Sequence, residues 1–464
     1  MTDTAGILDA ARYLRNVRPI DPDEIYEYVE DRPHPAVVRE TLRRNAFDLG
    51  LTERDDGTFV PLEEGPIDPA FEGVERFPAA YARRFEDRLL ERYGANWPEG
   101  EAGDRLRARI DELKAAYFAD ETVTYDEETA LAYGLYHLPD YYAAIQYALE
   151  ELGRDGRLPH ALRILDVGAG TGGPALGIHD YLPADTAVEY DAVEPSAAAA
   201  VLEAMLAETR PGFGTTVARE TAESFVPDGE YDLIVFANVL SELEDPVDVV
   251  TRYLDALAPD GTLLAVSPAE ERTATRLRSI ERAVLRRRPG TTVYAPTVRL
   301  WPDERPDDRG WTFTRRPDIE PPGFQRRLDV AGDDDGTYRN GTVQFAYLLL
   351  RTDGASAIEY DPDPDRVAKM ADSERHVTDR IDLDAVKLSP NLAADGNPVF
   401  KIGDGSERID HYAVLADASA LNEPLERAPY GALLGFENAL VLWNDDEEAY
   451  NLVVDGETFI ERLA

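Results

Sequence analysis

A glycine-rich turn that follows an apolar run is the feature that most constrains the fold of this chain. The stretch reads Ile164-Leu165-Asp166-Val167-Gly168-Ala169-Gly170-Thr171-Gly172-Gly173. Its pattern predicts a buried strand, a tight turn and the start of a helix. Glycine lets the backbone take positive φ and approach a ligand closely. The stretch therefore favours a nucleotide-type cradle, although a plain strand-to-helix turn has the same pattern.

Strand and helix patterns alternate on both sides of this turn. We predict strands at the following positions: 162–167, 187–193, 215–219, 231–237, 261–266, 310–316 and 342–350. The alternation indicates a parallel sheet with helices on both faces, and the last two strands, with no helix between them, would pair antiparallel. We therefore predict an α/β fold with the seven-stranded, Rossmann-like sheet of class I S-adenosylmethionine-dependent methyltransferases. A dinucleotide-binding dehydrogenase would continue with parallel strands.

Acids and polar residues at the strand ends complete the predicted cofactor site. Glu194 ends the second strand 22 residues beyond Gly172, where a carboxylate accepts the two hydroxyls of an adenosine ribose. Glu220 follows the third strand and is predicted to hold the adenine, unless it is a surface acid. Asn238 follows the fourth strand, where the methyl group would be presented. The predicted cofactor-binding set is Asp166, Gly168, Gly170, Gly172, Glu194, Glu220 and Asn238, and the predicted cofactor is S-adenosylmethionine.

The sequence assigns no catalytic residue. An Asn-Pro-Pro-Tyr segment, which serves methylation of a base amino group, does not follow the fourth strand, and the chain has no Cys. A chain without Cys has neither disulfides nor thiolate zinc or iron–sulfur sites. Methyl transfer from a sulfonium needs little beyond alignment and a route for the proton, so catalysis is not excluded.

The remaining segments divide the chain into four predicted domains. The pattern of residues 1–64 predicts three helices and a hairpin, and that of residues 65–150 predicts a helical cover. Residues 151–354 are the predicted methyltransferase domain, and residues 355–464 are a predicted linker and small β-barrel-like domain. The first segment resembles a winged helix-turn-helix module, whose third helix would carry Arg39, Arg43 and Arg44 towards nucleic acid or solvent. We interpret the tyrosines of the helix at 128–152 as core rather than as ligand contacts.

The charge balance is strongly acidic. The chain has 92 Asp and Glu against 48 Lys and Arg, a formal net charge of −44, and only four cations are Lys. Acid richness with so little lysine is typical of proteins from salt-accumulating cells, whereas the regular hydrophobic patterning argues against an acidic disordered protein. At molar salt the Debye length is about 3 Å, so net charge does not exclude nucleic-acid binding.

Neither the N-terminal sequence nor any apolar run predicts a membrane protein. Met1-Thr2-Asp3-Thr4-Ala5 has no basic or apolar leader pattern, and no apolar run approaches about 18 residues. We expect a cytoplasmic protein.

One segment is basic within this acidic chain. Between Arg272 and Arg327 lie fourteen arginines and seven acids. Arg278, Arg282 and Arg286 recur every four residues on one helix face. We predict that they bind an RNA backbone together with Arg315 and Arg316. Salt bridges to neighbouring acids are the alternative.

Several segments resemble the methyltransferase-like proteins of the mitochondrial small ribosomal subunit and their bacterial and archaeal relatives. These segments, which lie between Tyr133 and Leu350, are Leu138-Pro139-Asp140-Tyr141-Tyr142-Ala143-Ala144, Leu240-Ser241-Glu242-Leu243, Ala295-Pro296 and Gly310-Trp311-Thr312-Phe313-Thr314-Arg315-Arg316. The family commonly carries metal-binding cysteines in the late segments, where this chain has Thr297 and Thr312. We therefore predict no metal, and expect packing to brace this region.

The resemblance implies association with the small ribosomal subunit and its rRNA, in assembly or translation. Two alternatives remain open from the sequence. The first alternative is a non-catalytic assembly factor that binds the cofactor. The second is a winged-helix DNA-binding regulator joined to a small-molecule methyltransferase.

Overall fold

The computed structural model of the chain describes residues 4–30, 32–54, 56–332 and 336–464. Met1-Thr2-Asp3 of the predicted leaderless start and Asp55 of the predicted wing lie outside the described residues. The chain divides into two compact units. The first comprises residues 1–237 and 317–343, and the second comprises residues 238–316 and 344–464. The four predicted domains stay a prediction.

The first unit begins with four short helices and a hairpin. These elements are α1 (Thr4–Leu14), α2 (Pro22–Ile25), α3 (Pro35–Arg44), α4 (Ala46–Leu49), β1 (Leu51–Glu53) and β2 (Phe59–Pro61), the last two antiparallel. The predicted helix that carries Arg39, Arg43 and Arg44 is split because Asn45 leaves the helical conformation, and Gly50 ends α4 with φ 58°. Ile7, Val38 and Phe59 are buried between the helices and the hairpin. The winged-helix assignment itself is not confirmed.

Three longer helices follow, α5 (Ala79–Tyr93), α6 (Gly100–Ala119) and α7 (Glu127–Arg154). The side chain of Asp126 caps α7 by accepting a hydrogen bond from the Thr129 N–H at 2.8 Å. They lie mostly within the predicted helical cover at 65–150, whose role stays a prediction. Within the described residues, no helix is long and apolar enough to span a bilayer.

Four parallel strands form the sheet of the first unit. They are β3 (Ala161–Val167), β4 (Ala187–Val193), β5 (Phe213–Ala218) and β6 (Tyr231–Ala237), with α8 (Gly173–Tyr181) and α9 (Ala198–Leu206) between the first three. Their spatial order is β5, β4, β3, β6. Chain order reverses beside β3, and ligands of such sheets bind at the carboxyl ends of the strands at this reversal. The glycine turn follows β3 at that position.

The second unit adds antiparallel strands. In chain order the next elements are α10 (Pro246–Tyr253), β7 (Leu257–Pro268), α11 (Glu271–Arg287), β8 (Thr292–Ala295), β9 (Thr314–Arg316), α12 (Gly323–Ala331) and β10 (Val343–Arg351). Strand β10 pairs antiparallel with β7 and β8, and β9 also pairs with β10. The sequence missed β8. It was also wrong to place no helix between β9 and β10, where α12 returns to the first unit. The predicted count of seven strands is not confirmed.

The C-terminal residues form the predicted small β-barrel-like domain. Its elements are β11 (Arg380–Lys387), β12 (Val399–Gly403), β13 (His411–Leu415), α13 (Pro424–Arg427), β14 (Leu433–Asn444), β15 (Ala449–Val454) and β16 (Phe459–Arg462). The order β11-β12-β13-β15-β14 closes because β14 also pairs with β11. Leu383, Phe400 and Leu452 are among the buried residues inside the ring.

Candidate cofactor site

The glycine turn has the backbone conformation that its sequence suggests. Gly168, Gly170 and Gly172 have φ angles of 76°, 56° and 95°, which residues with a Cβ rarely adopt. A Cβ on Gly172 would also lie 3.0 Å from the Leu202 Cδ1. The turn ends where α8 begins, so its backbone lies at the carboxyl end of β3. We call residues 168–172 the cradle.

Glu194 closes one side of this cradle. Its side chain is 7% exposed, and Oε2 accepts a hydrogen bond from the Gly170 N–H at 2.9 Å. Oε1 accepts from the Ser196 N–H at 2.9 Å and from the Ser196 hydroxyl at 2.5 Å. A carboxylate accepts about four hydrogen bonds, so one acceptor position remains. The sequence predicted a ribose contact here and missed that Glu194 also braces the turn.

Asp166 lies beneath the turn and is fully buried. The Tyr190 hydroxyl donates to its Oδ2. Oδ1 is buried and has no hydrogen-bond partner among the described residues. Burial raises the pKa of Asp166 to about 7, and the Glu194 charge adds to this effect while the Tyr190 hydrogen bond opposes it. A buried acceptor without a donor is costly, so this oxygen is a candidate contact for a donor from outside the chain.

The other two predicted contacts, Glu220 and Asn238, stay predictions. Glu220 is exposed, two residues beyond the end of β5. Asn238 belongs to the second unit, where it has φ 61° and its N–H donates to the Val266 carbonyl at 2.9 Å. The structure therefore brings together Asp166, the three glycines and Glu194.

One face of α7 lies against the cradle, and the sequence interpretation of this face was only half right. Tyr142 and Tyr147 are buried, as predicted for core residues. Tyr133, Tyr136 and Tyr141 are instead half-buried. His137 and Asp140 lie among them and were not considered from the sequence. The signal that could have found His137 is the spacing of four residues that separates it from Tyr133 and from Tyr141.

Helix α7 is held in place by an unusual set of hydrogen bonds. Pro139 lies inside the helix and has no N–H, so the Leu135 carbonyl four residues earlier lacks its helical donor. The amide of Gln325 in α12 donates to that carbonyl at 2.9 Å and to the Tyr136 carbonyl at 3.1 Å. The Asn340 amide also donates to the Tyr136 carbonyl at 3.3 Å.

In the second unit, the structure contradicts the predicted RNA-binding row of arginines on α11. Arg278 is 1% exposed. Its Nη1 donates to Glu281 at 2.5 Å and its Nη2 donates to the Tyr347 carbonyl. Arg282 donates to the carboxylate and the carbonyl of Asp308. Both side chains are committed to internal acceptors, so the salt-bridge alternative is correct for them.

The other predicted RNA contacts lie closer to the surface. Arg286 and Arg315 are exposed, and Arg316 is half-buried. Arg286 lines an open pocket in which arginines and acids are equal in number: Arg282, Arg286 and Arg309 with Glu271, Asp307 and Asp308. Positive charge is therefore balanced locally rather than concentrated.

The arginines of α3 are balanced in the same way. Arg43 donates to both carboxylate oxygens of Glu53 at 2.6 and 2.9 Å, and Arg39 lies 3.8 Å from the same group. Arg44 pairs with Glu40 at 2.8 Å. Exposed cations on this helix thus already have acidic partners.

A buried ionic cluster joins the segment between β8 and β9 to the C-terminal β-barrel-like domain. The Lys401 Nζ lies 2.6 Å from Asp308 and 2.7 Å from Asp410, and all three side chains are nearly inaccessible. Burial alone would raise the pKa of Asp308, but Lys401 and Arg282 hold it well below its usual range. The Trp301 indole also donates to Asp404 at 2.8 Å.

The expectation that packing alone braces this region was therefore wrong. Thr297 donates to Glu281 at 3.1 Å, and Thr312 is buried. Ion pairs and hydrogen bonds share the role.

Comparison with known families supports the predicted domain class. Residues 165–263 match a family described as a methyltransferase domain, which confirms the predicted methyltransferase class and its cofactor, S-adenosylmethionine. Residues 4–55 and 371–463 match the N-terminal and C-terminal domains of a family described as a domain of unknown function. No curated protein matches the sequence.

Solved methyltransferase structures resemble parts of the chain. The plantazolicin methyltransferase BpumL in complex with SAH is 10% identical, with a TM-score of 0.31, and the match covers 59% of this chain and 98% of that one. The sugar N-methyltransferase KedS8 from a Streptoalloteichus species is 22% identical, with a TM-score of 0.22 and coverage of 27% and 47%. Likenesses at these scores carry no conclusion about the substrate.

Proposed function

We propose that this chain is an S-adenosylmethionine-dependent methyltransferase that acts on the small ribosomal subunit or its rRNA. The observation that carries the cofactor assignment is the left-handed glycine turn above a buried carboxylate oxygen, Asp166 Oδ1, that lacks a partner among the described residues. The acceptor assignment rests on the resemblance of the segments at 138–144, 240–243 and 310–316 to ribosome-associated methyltransferase-like proteins.

The residues at the turn fit this cofactor. Asp166 Oδ1 would accept a hydrogen bond from the cofactor's ammonium group, and the glycine backbone leaves room for its close approach. The remaining acceptor position of Glu194 would take a ribose hydroxyl, and Glu220 would hold the adenine. When bound, the cofactor supplies an electrophilic methyl group. The protein's task is then to align an acceptor and to remove a proton.

Calorimetry with S-adenosylhomocysteine in molar KCl tests the cofactor assignment. The wild-type protein is expected to bind, and Glu194→Ala to bind roughly ten- to a hundred-fold more weakly, because a charge-assisted hydrogen bond is worth about 1.5–3 kcal/mol. Glu203→Ala is the matched control, since that acid pairs with Arg219 on the surface. Absence of binding to the wild-type protein would refute the proposal, and unchanged affinity in Glu194→Ala would refute the role of that residue.

Mass spectrometry of small-subunit rRNA tests the acceptor assignment. A strain that lacks the gene is expected to lose a methyl group that the wild-type gene restores. If the rRNA keeps every methyl group while subunits fail to mature, the chain assists assembly without catalysis.

A further inference from the structure

A cluster of aromatic rings surrounds His137 on the face of α7. The His137 ring stacks on Tyr141, with centroids 4.9 Å apart and planes 9° apart. Tyr133 lies 5.1 Å from His137 and 6.0 Å from Tyr141. Tyr125, just before the helix, meets Tyr133 edge-on at 5.4 Å. These half-buried rings form one continuous surface.

This surface lies directly beside the cofactor cradle. A Cβ on Gly173, the first residue of α8, would be 3.2 Å from the Tyr141 Cβ. At the other end of the surface, the Tyr125 carbonyl accepts a hydrogen bond from the Ala197 N–H at 3.2 Å. Ala197 follows the turn that carries Glu194. The aromatic surface therefore runs from the glycine end of the cradle to its acidic end.

His137 has one nitrogen engaged and one open. Its Nδ1 lies 3.4 Å from the Asp140 Oδ2, and Asp140 is largely buried. Within the described part of the chain, Nε2 has no protein partner, and the side chain is 28% exposed. An acid that holds one imidazole nitrogen fixes the tautomer and orientation of the ring, which leaves the other nitrogen able to accept a proton.

The backbone that carries His137 is fixed. The Gln325 and Asn340 amides bond the carbonyls of Leu135 and Tyr136 immediately before it. Close packing of α7 on α8 adds to this, because a Cβ on Gly177 would come within 2.3 Å of the Ile145 Cγ2. A proton acceptor has to stay at a constant distance from the group it serves, and this helix supplies that constancy.

We propose that His137 is the base that takes the proton from the methyl acceptor, with Asp140 as its positioning residue. The inference rests on the proposed function and adds to it the class of acceptor, a planar group bearing an N–H or O–H. A bond forms between the acceptor heteroatom and the methyl carbon while the carbon–sulfur bond breaks, and sulfur keeps that electron pair. The acceptor's proton goes to His137 Nε2 and then to solvent. The aromatic surface holds a planar acceptor by stacking.

Paired calorimetry with two cofactor analogues tests this proposal without knowledge of the acceptor. Sinefungin carries an amine at the position of the transferred methyl group, whereas S-adenosylhomocysteine has nothing there. If His137 Nε2 faces that position, it accepts a hydrogen bond from the amine. His137→Phe, which keeps the stacked ring, is expected to weaken the affinity for sinefungin about ten-fold. The affinity for S-adenosylhomocysteine is expected to change by no more than about two-fold. His137→Gln, with an amide oxygen in place of Nε2, is expected to restore most of the sinefungin affinity.

An equal change for both analogues, or no change for either, would overturn the assignment of His137. Failure of the wild-type protein to bind S-adenosylhomocysteine would instead overturn the proposed function, so the two failures are distinguishable. His34→Phe is the matched control, because His34 caps α3 in the N-terminal segment. Thermal melting of each variant shows that it is folded.

Methyl incorporation into small ribosomal subunits separates binding from proton removal. His137→Gln binds both analogues but lacks a basic nitrogen, so methyl transfer is expected to fall at least a hundred-fold. A variant that binds sinefungin normally and still transfers the methyl group at the wild-type rate would show that His137 is not the base.

Discussion

Asp166 in the first unit and Asp308 in the second are both buried carboxylates, but they meet opposite surroundings. Asp308 is held by Lys401 and Arg282, which keep its pKa well below the usual range although burial alone would raise it. Asp166 receives one hydroxyl from Tyr190 and keeps an oxygen without a partner among the described residues, and burial raises its pKa to about 7. One carboxylate is saturated by protein cations and the other is left short of a donor.

The difference separates a structural acid from a ligand-binding one. Ionic groups that satisfy each other inside a protein specify packing, whereas a perturbed and unsatisfied group in a cleft marks a site. The arginines of α11 and the acids at the glycine turn are both strong sequence signals. Arg278 and Arg282 are committed to protein acceptors, whereas Asp166 and Glu194 keep bonding capacity for another molecule.

Of the changes that test this comparison, removal of Lys401 is expected to have the largest effect on stability. Lys401→Met leaves Asp308 and Asp410 short of a buried countercharge, so the free energy of unfolding is expected to fall by about 3–5 kcal/mol. Denaturation at fixed KCl, followed by tryptophan fluorescence, measures this change, since Trp301 is buried in the same unit. Arg408→Met is the control, because that side chain is 69% exposed and its pair with Glu304 is worth at most about 1 kcal/mol. Equal losses of unfolding free energy in the two variants would contradict the structural role of the Lys401 cluster.

A change of pH is expected to have an intermediate effect, and it acts on Asp166. Only the ionised carboxylate accepts from an ammonium group, so affinity for S-adenosylhomocysteine should be about ten-fold weaker at pH 6 than at pH 8. Asp166→Asn should bind weakly at both values.

The unfolding free energy of the ligand-free protein should instead fall as the pH rises. Because the folded-state pKa of Asp166 is raised, its contribution is complete below about pH 4 and is lost as pH rises through about 7. Asp166→Asn should remove this trend from the unfolding free energy. A wild-type affinity that is flat between pH 6 and pH 8 would show that Asp166 does not contact the cofactor.

Reversal of the exposed arginines is expected to have the smallest effect on stability. Arg286→Glu should change the unfolding free energy by at most about 0.5 kcal/mol, since surface substitutions rarely do more. The same variant combined with Arg315→Glu should reduce co-sedimentation with small ribosomal subunits if this face binds RNA. Arg408→Glu combined with Arg375→Glu is the charge-matched control, because both side chains are 69% exposed. Unchanged co-sedimentation would remove the remaining support for RNA binding by this segment.

The parallel strands of the first unit could be predicted from the sequence almost to the residue. Strands β4 and β6 have the predicted bounds of 187–193 and 231–237, because turn residues flank each strand in the sequence. The strand β11 was missed although Arg380–Lys387 alternates charged with apolar residues, as a half-buried strand does. Helix α12 was missed because prolines precede it and its apolar face is short.

The site could be predicted only where it depends on the backbone. Glycine spacing and the acid after β4 are local signals, so the turn and Glu194 were found. One partner of Arg278, Glu281, is three residues away on the same helix, but the other, the Tyr347 carbonyl, is 69 residues along the chain. His137 depends on a helix that packs on the turn, which no spacing within the turn reveals.

The hydrogen bond from Gln325 to the Leu135 carbonyl has a consequence for inheritance. Proline at 139 leaves the Leu135 carbonyl without its helical donor, and glutamine at 325 supplies the missing donor, so this hydrogen bond is needed only while the proline is present. In descendants of this chain the two positions should therefore change together. A lineage that replaces Pro139 with a residue bearing an N–H is expected to lose glutamine at 325, although 186 positions separate them in the sequence.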